Sequence, residues 1–177
     1  MLNVLSFVLF LQPNLTIEMM KEAKLKTLEQ TDNVSLYSIC FDGNSVSEYE
    51  DFIQRFKDEA TLNTDYKIII MALEKIVAVG ALERFFWPEG KMNDHLAALS
   101  IDSRKLRLYC LRISDSILIV GNGGRKETRT YEENEELRGY VMDLQLFDKM
   151  LIEAQKDGSV TIEKNVITGI EGKVFQL

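Results

Sequence analysis

Cysteine and histidine are scarce in this chain, and their scarcity removes whole classes of function. Cys40 and Cys110 are the only two thiols. They are too far apart for a zinc-ligand spacing and too few for a disulfide framework, which points to a reducing, cytoplasmic setting. One histidine, His95, excludes a His-rich metal site, and no metal or cofactor is expected. Two prolines and no Pro- or Ser-rich stretch leave no linker to separate domains. Positive charge is also in deficit: 21 Lys and Arg against 28 Asp and Glu give a net charge of −7. Uniform electrostatic attraction to nucleic acid or to an anionic membrane is therefore excluded.

Long hydrophobic runs are lacking too. The most apolar stretch, Met1 to Leu11, is well short of the roughly 20 residues that span a bilayer, so no stable membrane association is expected. No Lys or Arg precedes Lys21, and Gln12-Pro13-Asn14 offers no small-x-small cleavage pattern. The Met1 to Leu11 run reads as a cytoplasmic extension that packs as an extra strand or an oligomer contact, or that comes from an upstream start codon ahead of Met19 or Met20. A secretory reading stands as the alternative.

What is present is enough apolar material, 46% of 177 residues, for one core. Ile17, Met20, Leu25 and Leu28 among mixed charges predict a helix over 16–30, broken by Thr31-Asp32-Asn33. Val34 to Phe41 reads as the first core strand, closing on Asp42-Gly43-Asn44. Overlapping capping boxes, Ser45-x-x-Glu48 and Ser47-x-x-Glu50, announce a helix with Tyr49, Phe52, Ile53 and Phe56 on one stripe. A second helix starts near Asn63, and the two form a helical hairpin. Three strands come next, His95 to Ile101, Leu106 to Ile113 and Ser116 to Gly121, as an antiparallel meander. Gly121-Asn-Gly-Gly124 then reads as a loop, and a long helix begins near Glu132 to Asn134 with Leu137, Tyr140/Val141, Leu144, Phe147 and Leu151 inward. A β-rich tail ends the chain. The expected fold is α+β: a twisted antiparallel sheet with a helical hairpin before the meander and a long helix after it. Its parts are the extension (1–33), a main domain (34–157) and a C-terminal β-hairpin (158–177).

Charge is unevenly placed along this order. Between Arg84 and Arg129 nine positive residues face five negative, a balance of +4, which leaves −11 on the remainder. The basic middle falls on the meander and on the loop after it.

That same segment, Leu106-Arg-Leu-Tyr-Cys-Leu-Arg-Ile-Ser-Asp-Ser-Ile-Leu-Ile-Val-Gly-Asn-Gly-Gly-Arg-Lys-Glu-Thr-Arg-Thr-Tyr131, resembles the RelE/HigB-like toxins of bacterial toxin–antitoxin pairs (RelE/ParE superfamily). Arg107 and Arg112 match the family's strand arginines, and Arg125-Lys126-Glu127-Thr128 stands where a Lys-Lys-x-Thr-like run is usual. Lys91 to Asp94 and Leu96 to Leu99 look like the first meander strand and its approach. The resemblance spans roughly residues 34–152. It implies a RelE-like fold, a metal-independent endoribonuclease acting on mRNA on the ribosome, and neutralisation by a small antitoxin, often a helix-turn-helix protein.

RNA cleavage needs a 2′-hydroxyl deprotonated, the phosphoryl charge stabilised and the 5′-oxygen protonated. Arg112, Arg125, Tyr131 and His95 are the candidate catalytic residues, with Tyr109 as a further proton-transfer group. Lys105, Arg107, Lys126 and Arg129 are the candidate phosphate and RNA contacts. Each has a plainer reading, as a solvated strand or loop residue or an intramolecular ion pair. The acidic remainder keeps open a second reading of the whole, a non-catalytic interaction or regulatory module on the same fold.

Three further signals carry little. The glycine run lacks the spacing of a nucleotide-cradling loop. Phe85-Phe86-Trp87 beside Pro88 reads as a packing plug, with base stacking as its alternative. Glu132-Glu133 and Glu135-Glu136 suit a helix start, where the dipole favours negative charge.

Overall fold

The computed structural model describes residues 20–89, 94–100 and 104–177. The N-terminal apolar run, the first residues of the expected 16–30 helix, and Lys91 lie outside them.

Where a helix was expected over 16–30, Glu22–Gln30 is a β-strand, β1. Ala23 and Leu25 point into the core while Lys24 and Lys26 point away, the period-2 pattern of a strand. Leu28 breaks that alternation at a bulge between Thr27 and Glu29 and packs on the opposite face of the sheet. That bulge produces the three-residue apolar spacing that reads as helical in the sequence. The Thr31 turn, closed by its N–H donating to the Val34 carbonyl at 2.9 Å, returns the chain antiparallel into β2, Ser35–Phe41.

β2 is buried along its whole length. The turn after it places Asp42 and Gly43 at positive φ. Helix α1 (Glu48–Phe56) then begins at the second of the two predicted capping boxes. Ser47 Oγ accepts from the Glu50 N–H, and the Glu50 carboxylate accepts from the Ser47 N–H. Helix α2 (Asn63–Val79) completes the predicted helical pair.

The aromatic segment is not a loop. Phe86–Pro88 forms a short edge strand, β3, in which Phe86 is buried and Trp87 is 64% exposed. Strands β4 (Leu96–Leu99), β5 (Leu106–Ser114) and β6 (Ile117–Arg125) continue the sheet as antiparallel neighbours. The predicted glycine loop lies inside β6. A register shift opposite Leu108 and Cys110 inserts an extra residue there, and a Cβ on Gly123 would sit 1.9 Å from the Arg107 carbonyl oxygen. Glycine is therefore required by close approach of two backbones rather than by a turn.

Helix α3 (Glu135–Lys156) is capped by Asn134, whose Oδ1 accepts from the Leu137 N–H at 3.0 Å. Of the predicted stripe, Leu137, Val141, Leu144, Phe147 and Leu151 are buried and Tyr140 is half-buried. The tail makes a separate hairpin, β7 (Thr161–Glu163) with β8 (Val166–Thr168), and ends in β9 (Phe175–Gln176) against Glu22 and Ala23.

The seven-stranded sheet runs β3-β4-β5-β6-β2-β1-β9. It is mixed, which corrects the antiparallel expectation: Ser35–Ser38 of β2 pair in parallel with Ile117–Val120 of β6. The connection between these two strands runs through α1, α2 and the β3–β5 strands, and helices cover both faces of the sheet, which is why β2 is buried on both sides. Tyr37, Ile39, Tyr109, Leu111 and Ile119 pack under α3, whereas Leu36, Leu108, Cys110, Leu118 and Val120 pack under α1 and α2. The molecule is thus an α+β, three-layer structure. Among the described residues no helix is long and apolar enough to cross a membrane.

Candidate functional site

The alternation of β5 sorts its arginines onto opposite faces. Leu106, Leu108 and Cys110 face α1 and α2, so Arg107 and Tyr109 face the α3 side. On that side Arg107 donates to the Tyr109 hydroxyl at 3.4 Å and to the Arg129 carbonyl at 2.8 Å. The Tyr109 ring meets Tyr131 edge-to-face at a centroid distance of 6.1 Å. Three of the predicted residues, Arg107, Tyr109 and Tyr131, are therefore one cluster, which Arg129 joins through its backbone carbonyl.

Sequence reasoning gave Glu89 no role and weighed Trp87 only as part of a packing plug or a base-stacking cluster. Trp87 pairs with Ala98, which in turn pairs with Tyr109, and directly opposed residues share a face. The exposed indole therefore lies on the α3 side, in the row that leads to Tyr109. Two residues on, half-buried Glu89 is anchored by its N–H to the Leu96 carbonyl at 3.2 Å. Burial raises the Glu89 carboxyl above the usual carboxylate range, and Arg107 and Lys126 oppose that rise from close by. Burial also raises the Tyr109 and Tyr131 hydroxyls, so both remain protonated near neutral pH. Nothing in the sequence distinguishes Glu89 from other surface acids. Its place depends on β3 pairing with β4.

The remaining predicted residues lie elsewhere. Arg112 donates from Nε to the Ala81 carbonyl at 2.8 Å and pairs with Asp115, pinning the β5–β6 turn. Arg125 pairs in register with Leu106, so it faces α1 and α2, where it meets Glu59 at 3.3 Å. Lys105 is held beside the start of α2, its N–H donating to Asp65 at 2.9 Å. Lys126 is exposed next to Arg125 and, unlike Arg125, is close enough to act on Glu89.

His95 belongs to a different pair. Its Nδ1 lies 2.8 Å from Asp148 Oδ1, and its backbone N–H donates to Asp148 Oδ2 at 3.1 Å. Asp148 is almost fully buried. The hydrogen bond to Asp148 outweighs partial burial and holds the imidazole pKa above its ordinary value. The β4–β5 register places His95 opposite Arg112, several residues along β5 from Arg107.

A second polar cluster escaped the sequence altogether. Beyond Ser38 and Val120 the parallel strands separate, and Arg55 of α1 spans the opening. It donates from Nε to Asp51 at 2.9 Å, from Nη1 to Glu136 of α3 at 2.9 Å, and from Nη2 to the Asn122 side chain and the Gly123 carbonyl. Buried Asn122 in turn donates to Glu48 at 3.0 Å and to Asp51 at 2.9 Å. Four of the five N–H donors of that guanidinium are engaged, and the network joins α1, β6 and α3.

No family model, no curated protein and no solved structure matches the chain.

Proposed function

We propose that the protein cleaves RNA at the Glu89–Arg107–Tyr131 cluster, as the toxin of a RelE/HigB-like toxin–antitoxin pair acting on translated mRNA in the cytoplasm. The observation that carries this reading is Glu89: a half-buried carboxyl with a raised pKa, set beside two cations and two protonated tyrosines. A carboxylate of raised pKa is a stronger base than an ordinary surface acid, and its neighbours suit a phosphodiester. In this reading Glu89 takes the proton of the 2′-hydroxyl, and the freed oxygen attacks phosphorus. Arg107 and Lys126 neutralise the charge that develops on the phosphoryl oxygens. Tyr131 protonates the departing 5′-oxygen, leaving a 2′,3′-cyclic phosphate. The exposed face of Trp87 gives a base a stacking platform, which binds without sequence preference. Arg107 and Lys126 are the cations that act on Glu89, and at short range they offset the −7 of the whole chain.

One observation favours the non-catalytic alternative: Arg112 and Arg125, which the resemblance places in the site, are engaged by protein groups instead. Expression without a partner separates the two. Growth arrest and ribosome-dependent mRNA cleavage are expected of the wild type, with cleavage reduced about 100-fold or more by Glu89→Gln and comparably by Arg107→Ala. A harmless wild type that leaves mRNA intact overturns the nuclease reading. Arg125→Ala serves as the control that leaves cleavage unchanged.

A further inference from the structure

On the opposite side of the sheet from Glu89, β1, α1 and α2 enclose an open groove of about 320 Å³. Leu28, Leu36, Leu73 and Val77 make its floor, and Glu29, Tyr49 and Glu74 stand at its sides. We propose that this groove is a docking slot for an extended segment of a partner protein in which apolar side chains alternate with Lys or Arg.

Two independent features support that occupant. The first is a vacant strand edge. β9 covers only Glu22 and Ala23, and among the described residues no strand pairs with the outer edge of β1 from Lys24 to Gln30. An extended segment added there gains backbone hydrogen bonds and turns every second side chain toward the groove. The second is the chemistry of the slot. Both Glu29 and Glu74 lie close enough to the half-buried Tyr49 hydroxyl to resist its ionisation, which places two exposed carboxylates around one apolar floor. A Lys or Arg side chain fits that combination, its aliphatic stem on Leu73 and Val77 and its charged head between the carboxylates. Lys26 does not oppose it, since Glu50 neutralises that amine at 2.6 Å. Lys24 sits at the other end of the edge, which confines the cation of the incoming segment to the Glu29 end.

Charge decides against the other occupants near at hand. Residues 1–19 are apolar but contain no Lys or Arg, so this extension supplies nothing to Glu29 and Glu74. A second copy pairing edge to edge brings another Lys24 to the junction, whereas strand edges that carry lysine normally resist such pairing. The inference does not depend on RNA cleavage, because the groove and Glu89 lie on different faces, and either can fail without the other.

The test is selection of a random twelve-residue peptide library on the full chain, followed by titration of one enriched synthetic peptide. Enriched sequences are expected to alternate apolar residues with Lys or Arg, to protect the amides of Lys24 to Gln30 from hydrogen exchange, and to lose at least tenfold in affinity on Glu29→Gln/Glu74→Gln. Both substituted residues are exposed, and an unchanged melting temperature confirms that the double variant is folded. The proposal is overturned by an absence of enrichment, by enriched peptides without basic residues, or by equal binding to the double variant. Displacement by a synthetic peptide of residues 1–19 overturns it by assigning the groove to the chain's own extension. A concentration-dependent dimer that the double variant abolishes overturns it by assigning the groove to a second copy.

Discussion

Arg55 and Arg107 are both partly buried arginines beside β6, yet their surroundings differ in one respect that matters. Arg55 places its three nitrogens on two carboxylates, an amide oxygen and a backbone carbonyl. Arg107 makes one 2.8 Å bond to a carbonyl and one long contact to a tyrosine, with a raised carboxyl nearby. A network engaged in this way holds structure, because any change leaves buried groups unpaired. A cluster whose donors are not all engaged among the described residues, with an acid of perturbed pKa beside it, is where a substrate can complete the bonding.

The sharpest way to break this contrast is Gly123→Ala, because the new methyl would meet the Arg107 carbonyl oxygen at 1.9 Å. Loss of about 4 kcal/mol or more in stability is expected from such a backbone clash. Urea denaturation measures it, and RNA cleavage should fall as well, since the strand that carries Arg107 must move. Next is Asn122→Ala, which removes an amide that bonds Glu48, Asp51 and Arg55 while leaving β5 untouched. Destabilisation of about 2–4 kcal/mol is expected, with the cleavage rate of the remaining folded protein unchanged. If cleavage falls in proportion to that of Arg107→Ala, the two clusters are one functional unit and the contrast fails.

Smaller again is the effect of pH on the His95–Asp148 pair. Its folded pKa is raised, so the imidazolium contributes stability that is fully present below the ordinary histidine value and is lost as pH rises through the folded value. The urea midpoint of the wild type should therefore decline as pH rises from the ordinary histidine value through the raised folded value, and Asp148→Asn should flatten that decline. The smallest effect belongs to Arg125→Ala. Its ion pair with Glu59 is 3.3 Å long and largely exposed, so a change below about 0.5 kcal/mol is expected from the same urea titration.

How much of this was legible beforehand depended on the range of the interactions involved. The α1 capping box and the α3 stripe are local patterns, and both appear in the structure as the sequence predicts, with Tyr140 alone on the stripe only half-buried. β1 was misread because a bulge shifts Leu28 to the other face and imitates helical spacing. The glycine run was misread because its glycines answer to Arg107 and to Leu144 of α3, far off in sequence. Of the candidate site, Arg107, Tyr109 and Tyr131 were recognisable as residue types on a basic strand and loop, but their union with Glu89 and Trp87 was not.

Composition and periodicity by themselves determined an α+β chain, the order of α1, α2 and α3 and of the strands β2, β4, β5 and β6, and a basic middle within an acidic whole. These depend on which side chains can be buried and at what spacing, quantities a sequence contains directly. Only the tertiary structure decided that β2 runs parallel to β6, that Arg107 parts from Arg112 and Arg125, and that an unremarked glutamate sits among cations. Strand pairing makes those choices, and pairing sums weak contacts between residues distant along the chain, so no local pattern records it.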